Sequence, residues 1–236
     1  TTCLKLNLAD RVVCDSTSSA EDAVKYLKIP EEKLAVLLLG VDFEAFARPV
    51  QPLALPETVR NTFRVLSVGS SLPRKNLPCL LPVVRDLKRR GVRVSVLRAG
   101  SRLPEELRTQ LVEILGGTHF LEFGLLTDEL LVRLYQSSDV FFMPSLLEGF
   151  GLPILEAMAA GCPVVSSNAS SLPEVAGDAA LLFDPARPQD ATDHLHRLAG
   201  DSQIRSELRS KGRVRARSLS WERHFFGLLE HYRTLA

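Results

Sequence analysis

Two glutamates eight positions apart, Glu148 and Glu156, flank a turn that contains Gly149 and Gly151. The apolar run before the turn predicts a buried strand, and Pro153 stands where the first turn of a helix tolerates proline. Glycines let a backbone approach a ligand closely, and the N–H groups and positive dipole end of a helix attract anions. The segment therefore predicts a phosphate-binding crevice that both carboxylates could face, with Glu148 on the loop at its mouth and Glu156 on or near the second turn of the helix.

Two adjacent cations, Arg74 and Lys75, follow Gly69 at the end of another apolar run. The planar fork of arginine and the point charge of lysine together suit a diphosphate. An exposed basic turn is the alternative interpretation. The position at a strand end, in register with the loop of Glu148, favours phosphate binding.

Two further loops follow predicted strands. The loop of Gly124 and Leu125 would place backbone groups beside a base, although Thr127 is also a suitable N-cap for the next helix. The hydroxyls of Ser170 and Ser171 could bond a ligand, but capping of a short following helix is their expected role.

Composition sets broad bounds on the chain. With 236 residues, 45% apolar and 24% charged, it is typical of a globular protein of one large domain, or one domain plus a fragment. A net charge of +1 gives no electrostatic case for nucleic acid as a partner. The four scattered cysteines lack disulfide or metal spacing and predict a reduced, cytoplasmic setting, with core packing expected for Cys14, Cys79 and Cys162.

Short apolar strands alternate with amphipathic helices along most of the chain. This pattern predicts a parallel sheet covered on both faces, a doubly wound α/β domain whose ligands bind at the carboxyl ends of the strands. A first helix, Ser18–Lys28, is expected to be capped by Ser18 or Ser19, and another helix is expected at Leu77–Arg90. The chain after Pro188 is expected to be helical only. The predicted strands are Arg11–Asp15, Leu34–Leu39, Arg64–Val68, Arg93–Arg98, His119–Phe123, Val140–Met143, Pro163–Ser166 and Leu181–Phe183.

Together these motifs resemble the glycosyl transferases group one, which are retaining glycosyltransferases of family four with a GT-B fold. The resemblance runs from about Ala9 to Tyr232 and is to the C-terminal, nucleotide-sugar-binding half, a Rossmann-like domain with a C-terminal helical tail. The strongest element is the glutamate–seven residues–glutamate motif of Glu148 and Glu156. The other matching segments are Val68-Gly69, Arg74-Lys75-Asn76, Gly161-Cys-Pro-Val-Val165, Ser171-Leu-Pro-Glu-Val175, Gly177-Asp-Ala-Ala-Leu181 and Ser220-Trp221-Glu222.

The resemblance implies catalytic roles for three side chains. Lys75, with Arg74 beside it, would neutralise the diphosphate of the donor as the leaving group gains negative charge. Glu148 would bond hydroxyls of the donor sugar and face the reacting centre, and Glu156 would accept hydrogen bonds from the ribose. Two nearby carboxylates could also form a hydrolase dyad, but one of them is expected to be engaged by ribose.

The resemblance also implies a donor site built largely from backbone. It calls for no metal and no cofactor beyond the nucleotide-diphosphate sugar, which is the substrate. The backbone at Phe150, Gly151 and Leu152 is implied to hold a phosphate on the helix N-terminus. Gly69, Gly124 and Leu125, in the loops after two other predicted strands, are further expected donor-binding positions.

One residue departs from the pattern of many relatives. Ser70 follows Gly69 where those relatives carry an arginine, so neutralisation of the phosphates must rest on Arg74 and Lys75. The Arg-Lys-Asn sequence is similar to the mannosyltransferase-like branch and favours GDP-mannose, while a UDP-linked donor stays open.

The resemblance divides the chain into three parts. Residues 1–50 resemble the tail of an N-terminal acceptor domain and its crossover, 51–218 the donor-binding domain, and 219–236 a helix that returns toward the acceptor domain. The isolated chain is therefore expected to be inactive without the acceptor domain or a partner chain, and a truncation or a natural half-protein are both open. The apolar stripe of the last helix would either pack wholly on this domain or face water in part.

Two other functions keep the same site. The chain could be a non-catalytic nucleotide-sugar-binding or interaction subunit, or a GT-B-fold nucleotide-sugar epimerase, although the complete glutamate motif argues against the epimerase. Arginines and histidines on the last helix would also allow peripheral association with the inner face of an anionic membrane.

Overall fold

Six parallel strands form the main sheet of the computed structural model, which describes residues 8–235. The strands of the chain are β1 (Val12–Cys14), β2 (Leu34–Val36), β3 (Phe63–Gly69), β4 (Val94–Gly100), β5 (Phe120–Glu122), β6 (Val140–Met143), β7 (Val164–Ser167) and β8 (Leu181–Phe183). The main sheet has the order β5-β4-β3-β6-β7-β8, so β3 and β6 lie side by side at its centre.

Helices follow most strands and cover both faces of this sheet. They are α1 (Thr17–Leu27), α2 (Phe43–Ala47), α3 (Glu57–Arg60), α4 (Leu80–Arg89), α5 (Glu105–Leu115), α6 (Asp128–Gln136), α7 (Leu152–Ala159), α8 (Leu172–Ala176), α9 (Pro188–Gly200), α10 (Ser202–Ser218) and α11 (Trp221–Leu235). One core cluster lies under α4, α5 and α9, and another lies under α6, α7 and α8. The predicted doubly wound α/β fold is confirmed.

The strand order fixes where ligands can bind. Chain connections leave β3 toward one edge and β6 toward the other, so a crevice opens between the carboxyl ends of these two strands. The loop with Arg74 and Lys75 follows β3, and the loop with Glu148 follows β6. The fold therefore brings the two predicted phosphate-binding loops together at its topological switch point.

The N-terminal part forms a separate parallel pair of strands, β1 and β2, with α1 packed on it over Cys14, Ala20, Ala23 and Ile29. The expected cap of α1 at Ser18 or Ser19 was wrong. The helix begins one residue earlier, and the extended Ser16 caps it by accepting a hydrogen bond from the Ser19 N–H at 3.0 Å.

Two other predicted boundaries were too long. The strand predicted at Leu34–Leu39 ends at Val36, which pairs with Cys14, the last residue of its partner β1. The helix predicted from Leu77 begins as a 3₁₀ turn, Leu77–Cys79, and becomes α4 at Leu80. The reason is that the backbone of Asn76 has a left-handed conformation and Pro78 lacks an N–H.

The last helix, α11, packs by one side only. The backbone of Gly227 lies against Leu37, and the His224 ring nitrogen Nδ1 is 3.2 Å from the Leu38 carbonyl oxygen. On the other side Phe226 and Tyr232 are 59% and 64% exposed. Of the two alternatives for the apolar stripe, the structure has the one in which part of it faces solvent.

The described cysteines are buried and unpaired, as the prediction of core packing requires. Burial raises the pKa of the Cys79 thiol to about 11 and raises that of Cys162 as well. Cys3 lies outside the described residues.

Within residues 8–235, no helix combines the length and apolar character needed to cross a membrane.

Candidate active site

The loops that follow β3 and β6 are tied to each other. The Leu146 N–H donates to the Arg74 carbonyl at 2.7 Å, and the Asn76 side-chain amide donates to the Pro144 carbonyl at 3.1 Å. Asn76 adopts a left-handed conformation with φ of 51°, which turns its side chain toward the neighbouring loop. These bonds hold Arg74 and Lys75 against the loop that carries Glu148.

Glu148 forms ion pairs with both predicted cations. Its Oε2 lies 2.6 Å from the Arg74 guanidinium, and its Oε1 lies 2.6 Å from the Lys75 ammonium. Arg74 also donates to the Leu147 carbonyl at 3.0 Å. The three residues predicted as catalytic therefore form one contiguous cluster.

The Glu148 carboxyl is only 7% exposed, yet it stays ionised. Burial by itself would raise its pKa, but the hydrogen bond and charge of Lys75, with a further bond from Arg74, outweigh burial and hold the pKa below its ordinary value. At neutral pH Glu148 can accept hydrogen bonds but has no proton to give.

The two cations differ in access. The Lys75 side chain is 11% exposed and that of Arg74 is 42% exposed, so an anion entering the crevice meets Arg74 first. The Lys75 ammonium lies 3.6 Å from the point that a Cβ on Gly69 would occupy. A side chain at position 69 would therefore contact the lysine ammonium directly.

Two serines support the glutamate loop from beneath. The Ser170 hydroxyl donates to the Glu148 carbonyl at 2.6 Å, and the Ser171 hydroxyl donates to the Phe150 carbonyl at 2.7 Å. Their expected role as a helix cap was wrong, since α8 begins without any side-chain cap. The hydroxyls instead satisfy loop carbonyls that are buried away from water.

The N-terminus of α7 is also uncapped by any side chain. Gly151 stands at the cap with φ of 112°, and a Cβ there would be 2.8 Å from Leu172. Phe150 is buried and anchors the turn, so the N–H groups of Gly151 and Leu152 stand at the start of the helix. Such a terminus attracts an anion through its free N–H groups and its dipole.

Glu156 projects from the second turn of α7 and is fixed by a residue that sequence reasoning missed. The Tyr135 hydroxyl donates to Glu156 Oε2 at 2.9 Å, and the ring is fully buried between Phe46 and Phe141. Burial raises the pKa of Glu156, and the tyrosine bond opposes that rise. Tyrosine at a buried helical position was the available signal, because a buried hydroxyl needs a partner.

The predicted loop of Gly124 and Leu125 follows β5 and lies at the same edge of the sheet. The Gly100 N–H donates to the Gly124 carbonyl at 2.7 Å, and Gly100 pairs with Gly69 across the sheet. Leu125 is 88% exposed, so its side chain stands at the rim. Gly124 and Leu125 therefore neighbour Gly69 but make no direct contact with the glutamate cluster among the described bonds.

The N-terminal segment reaches the site as well, which no sequence signal indicated. The hydroxyls of Ser16 and Ser19 donate to the Gly149 carbonyl at 2.7 and 3.2 Å. Glu174 accepts from both the N–H and the hydroxyl of Thr17, at 2.8 and 2.7 Å. The start of α1 is thus bound to the loop between the two glutamates.

Across the described part of the chain, histidine, cysteine, aspartate and glutamate side chains do not gather in groups of three or more that would hold a metal ion. Three of the five histidines bond to neighbouring groups in the fold: His119 to Ser95, His194 to the Leu182 carbonyl and His224 to the Leu38 carbonyl.

Two curated bacterial proteins are similar in sequence to most of this chain. The chain is 30% identical over 223 residues to the O-antigen chain mannosyltransferase B of Escherichia coli, covering 92% of this chain and 58% of that protein. It is 34% identical over 214 residues to the MMP alpha-(1->4)-mannosyltransferase of Mycolicibacterium hassiacum, covering 88% and 50%. The chain thus spans about half the length of these curated relatives.

A solved structure shares the fold of this chain, and a family model matches its sequence. HepE from Anabaena, crystallised in complex with UDP-glucose, superimposes with a TM-score of 0.80 at 19% identity, over 96% of this chain and 64% of that one. The family model described as glycosyl transferases group 1 matches residues 56–215, a range that contains both loops of the switch point. Since that match extends over more than half of the sequence, the chain belongs to the glycosyl transferases group 1 family.

Proposed function

We propose that this chain is the donor-binding half of a retaining mannosyltransferase that uses GDP-mannose. The observation that carries the proposal is the cluster of Arg74, Lys75 and Glu148 beside the uncapped start of α7. The two curated relatives described above are mannosyltransferases, which supports mannose as the sugar.

The cluster suits a reaction in which a diphosphate leaves. Breaking the bond between the sugar and the phosphate leaves negative charge on the diphosphate and positive charge on the sugar. Arg74 and Lys75 stabilise the departing diphosphate, and one preorganised group of this kind contributes about 3–4 kcal/mol to transition-state stabilisation. Glu148, held ionised, accepts hydrogen bonds from the sugar hydroxyls and faces the positive charge.

The ribose end of the donor is assigned to Glu156. This carboxylate lies one turn beyond the start of α7, so a ribose bonded to it places its own phosphate at the helix N-terminus. The Tyr135 hydroxyl fixes the carboxylate from the opposite side.

Retention and metal independence belong to the same proposal. Two cations and a helix N-terminus supply positive charge on both sides of a diphosphate, so binding needs no divalent ion and no other cofactor. HepE was crystallised with UDP and with UDP-glucose, which supports a nucleotide-linked sugar as ligand and keeps UDP-linked donors as the alternative base. The acceptor nucleophile attacks on the face from which the diphosphate departs.

The acceptor is assigned to protein outside this chain. We propose that the chain binds donor by itself and transfers sugar only with an acceptor domain or partner chain. A non-catalytic nucleotide-sugar-binding subunit is the second candidate, favoured by the exposed apolar side of α11. Cytoplasmic location and association with a membrane face stay predictions.

The first experiment is thermal unfolding of this chain with GDP, UDP and ADP, each with magnesium and with EDTA. A nucleotide at about 100 times its dissociation constant adds about 2.7 kcal/mol, a rise in Tm of roughly 5–10 °C. We expect the largest rise with GDP and the same rise in EDTA. A rise only with magnesium contradicts metal independence, and no rise with any nucleotide contradicts the donor site.

A variant separates the enzyme from the binding subunit. In the protein joined to its acceptor domain, Glu148→Ala should abolish most sugar transfer while GDP still raises the Tm. If the unmodified protein binds GDP but transfers no mannose to any acceptor, the result favours the second candidate, a non-catalytic nucleotide-sugar-binding subunit.

A further inference from the structure

Arg98 is a fully buried cation whose partners are all backbone carbonyls. It stands on β4 between Leu97 and Ala99, in a strand that is otherwise apolar at this end. Its guanidinium donates to the carbonyls of Gly69 at 2.6 Å and Ser70 at 3.1 Å. Further bonds go to the carbonyls of Ser67 and Ala99. The Gly69 carbonyl also accepts from the Ser101 N–H at 3.1 Å, whereas the only described donor to the Ser70 carbonyl is Arg98.

No carboxylate of the described residues forms an ion pair with this arginine, and its Nε has no hydrogen-bond partner there. Burial lowers the pKa of Arg98 to about 10, which leaves it charged at neutral pH. The charge of Glu122, its register neighbour on β5, opposes this lowering in part. A buried cation without a direct carboxylate contact is still costly, whereas an aliphatic side chain would fit an apolar strand without that cost. This cost indicates that the charge of Arg98 has a role beyond packing.

The carbonyls that Arg98 holds belong to the loop of the candidate site. A trans peptide unit is planar, so its C=O and its N–H point in opposite directions. Because the Gly69 and Ser70 carbonyls point inward to Arg98, the N–H groups of Ser70 and Ser71 point away from it. Neither N–H makes a backbone hydrogen bond among the described residues.

The same loop lies beside the lysine of the cluster. The Lys75 ammonium is 3.6 Å from the point above Gly69 where a Cβ would stand. Ser70 itself brings no charge to this place. Two successive N–H groups next to an ammonium form a concave, positive surface of the kind that binds phosphate oxygens.

We propose that Arg98 is a positioning residue that turns the Gly69–Ser71 backbone so that the Ser70 and Ser71 N–H groups bind the distal phosphate of a nucleoside diphosphate. This rests on the proposed function. The phosphate nearest the ribose belongs to the start of α7, because Glu156 is on that helix. The loop held by Arg98, on the other side of the crevice, then meets the second phosphate.

The test compares a nucleoside diphosphate with its monophosphate. Calorimetry with GDP and GMP on the unmodified chain and on Arg98→Met should show at least tenfold weaker GDP binding and GMP binding changed less than twofold. Arg93→Met, at an exposed arginine just before β4, is the matched control and should bind both ligands normally. Equal losses for GDP and GMP indicate general damage and overturn the proposal, as does unchanged GDP binding.

A second measurement needs no variant and tests the two amides directly, so the phosphate contact stays open to refutation even if Arg98→Met does not fold. In amide NMR spectra of the unmodified chain, GDP should move the Ser70 and Ser71 N–H protons downfield, and GMP should not. Amides that respond to neither ligand overturn the proposal. If the unmodified chain binds no nucleoside diphosphate, the proposed function fails too, whereas normal GDP binding by Arg98→Met overturns the role of Arg98 alone.

Discussion

At the scale of single residues, Glu148 and a diphosphate are alternative partners for the same two cations. In the structure the carboxylate holds both Arg74 and Lys75 at 2.6 Å. Without a ligand this pairing keeps two neighbouring positive charges compensated inside a crevice. In the proposed function, an entering diphosphate takes over part of that role, which frees Glu148 to accept bonds from the sugar.

Replacing the carboxylate by an amide tests this exchange. In Glu148→Gln the cations lose their competing anion, so GDP should bind as tightly as before or more tightly. Transfer by the protein joined to its acceptor domain should fall by about 10²-fold or more, because a charge that faces the reacting centre is gone. Calorimetry and a transfer assay measure the two effects.

Glu113→Gln is the matched control, since that glutamate is exposed on α5, away from the site. It should leave both quantities unchanged. Weaker GDP binding in Glu148→Gln would show that the carboxylate supports the site and does not compete with the ligand.

The ionisation of Glu148 also predicts a pH effect. Its pKa in the folded chain lies below the ordinary value of 4.5. The ion pairs therefore contribute fully to stability above that value, and the contribution is lost as the pH falls through the folded pKa. We expect Tm profiles of the unmodified chain and Glu148→Gln to differ by a constant amount above pH 5 and to converge below pH 4.5. Parallel profiles down to pH 3 would contradict the low pKa.

At the scale of elements, the start of α7 is the feature that turns a loop into a binding site. The chain leaves β6, passes Glu148 and enters the helix through Gly151 in a left-handed conformation, with φ of 112°. Ser170 and Ser171 hold the carbonyls of the turn from beneath. The helix therefore presents backbone N–H groups to the crevice with no side chain in front of them.

Gly151→Ala should damage both stability and binding. An alanine there would have an unfavourable φ and would clash with Leu172, at a cost of about 1–3 kcal/mol. GDP affinity should fall as well, because the turn must shift. Gly117→Ala is the control, since a Cβ at Gly117 meets no atom within 4 Å. Equal unfolding free energies for the two variants, from urea denaturation, would contradict this account of the turn.

At the scale of the whole molecule, the N-terminal segment and the donor loop are mechanically connected. Ser16 and Ser19 bind the Gly149 carbonyl, and Glu174 binds the first residue of α1, Thr17. The loop between the two glutamates is therefore held from both sides: by the main domain and by the segment that resembles the tail of an acceptor domain. The domain boundaries at residues 50 and 218 remain predictions.

Donor binding should therefore slow amide hydrogen exchange in α1. When GDP orders the loop of Gly149, amide hydrogen exchange should slow by several-fold in residues 17–27, and exchange in α5 should not change. In Ser16→Ala the Gly149 carbonyl loses one hydrogen bond and α1 loses its cap. Exchange in α1 should then be faster without GDP, and the additional protection that GDP gives to α1 should shrink while GDP still binds. Exchange in α1 that is unaffected by GDP in the unmodified chain would contradict the connection.

The fold and the principal site were largely readable from local patterns. Apolar strands alternating with helices dictate a parallel sheet, and the motif around Glu148 and Glu156 places two carboxylates at a helix start whatever surrounds it. Tyr135 was not predicted as a partner of Glu156, because a tyrosine on an apolar helix face reads as core. Ser170 and Ser171 were misassigned because short-range capping and a long-range carbonyl bond use the same hydroxyl.

The sequence by itself determined the class of fold, the family, and the residue types of the candidate site, because these depend on spacing along one strand–turn–helix unit at a time. Only the tertiary structure decided which groups touch: that Glu148 joins Arg74 and Lys75, that Arg98 holds the Gly69 loop, and that Ser16 reaches Gly149. Each of these contacts joins segments between about 30 and 130 residues apart. Their geometry is set by the order and register of the strands, which no local pattern encodes.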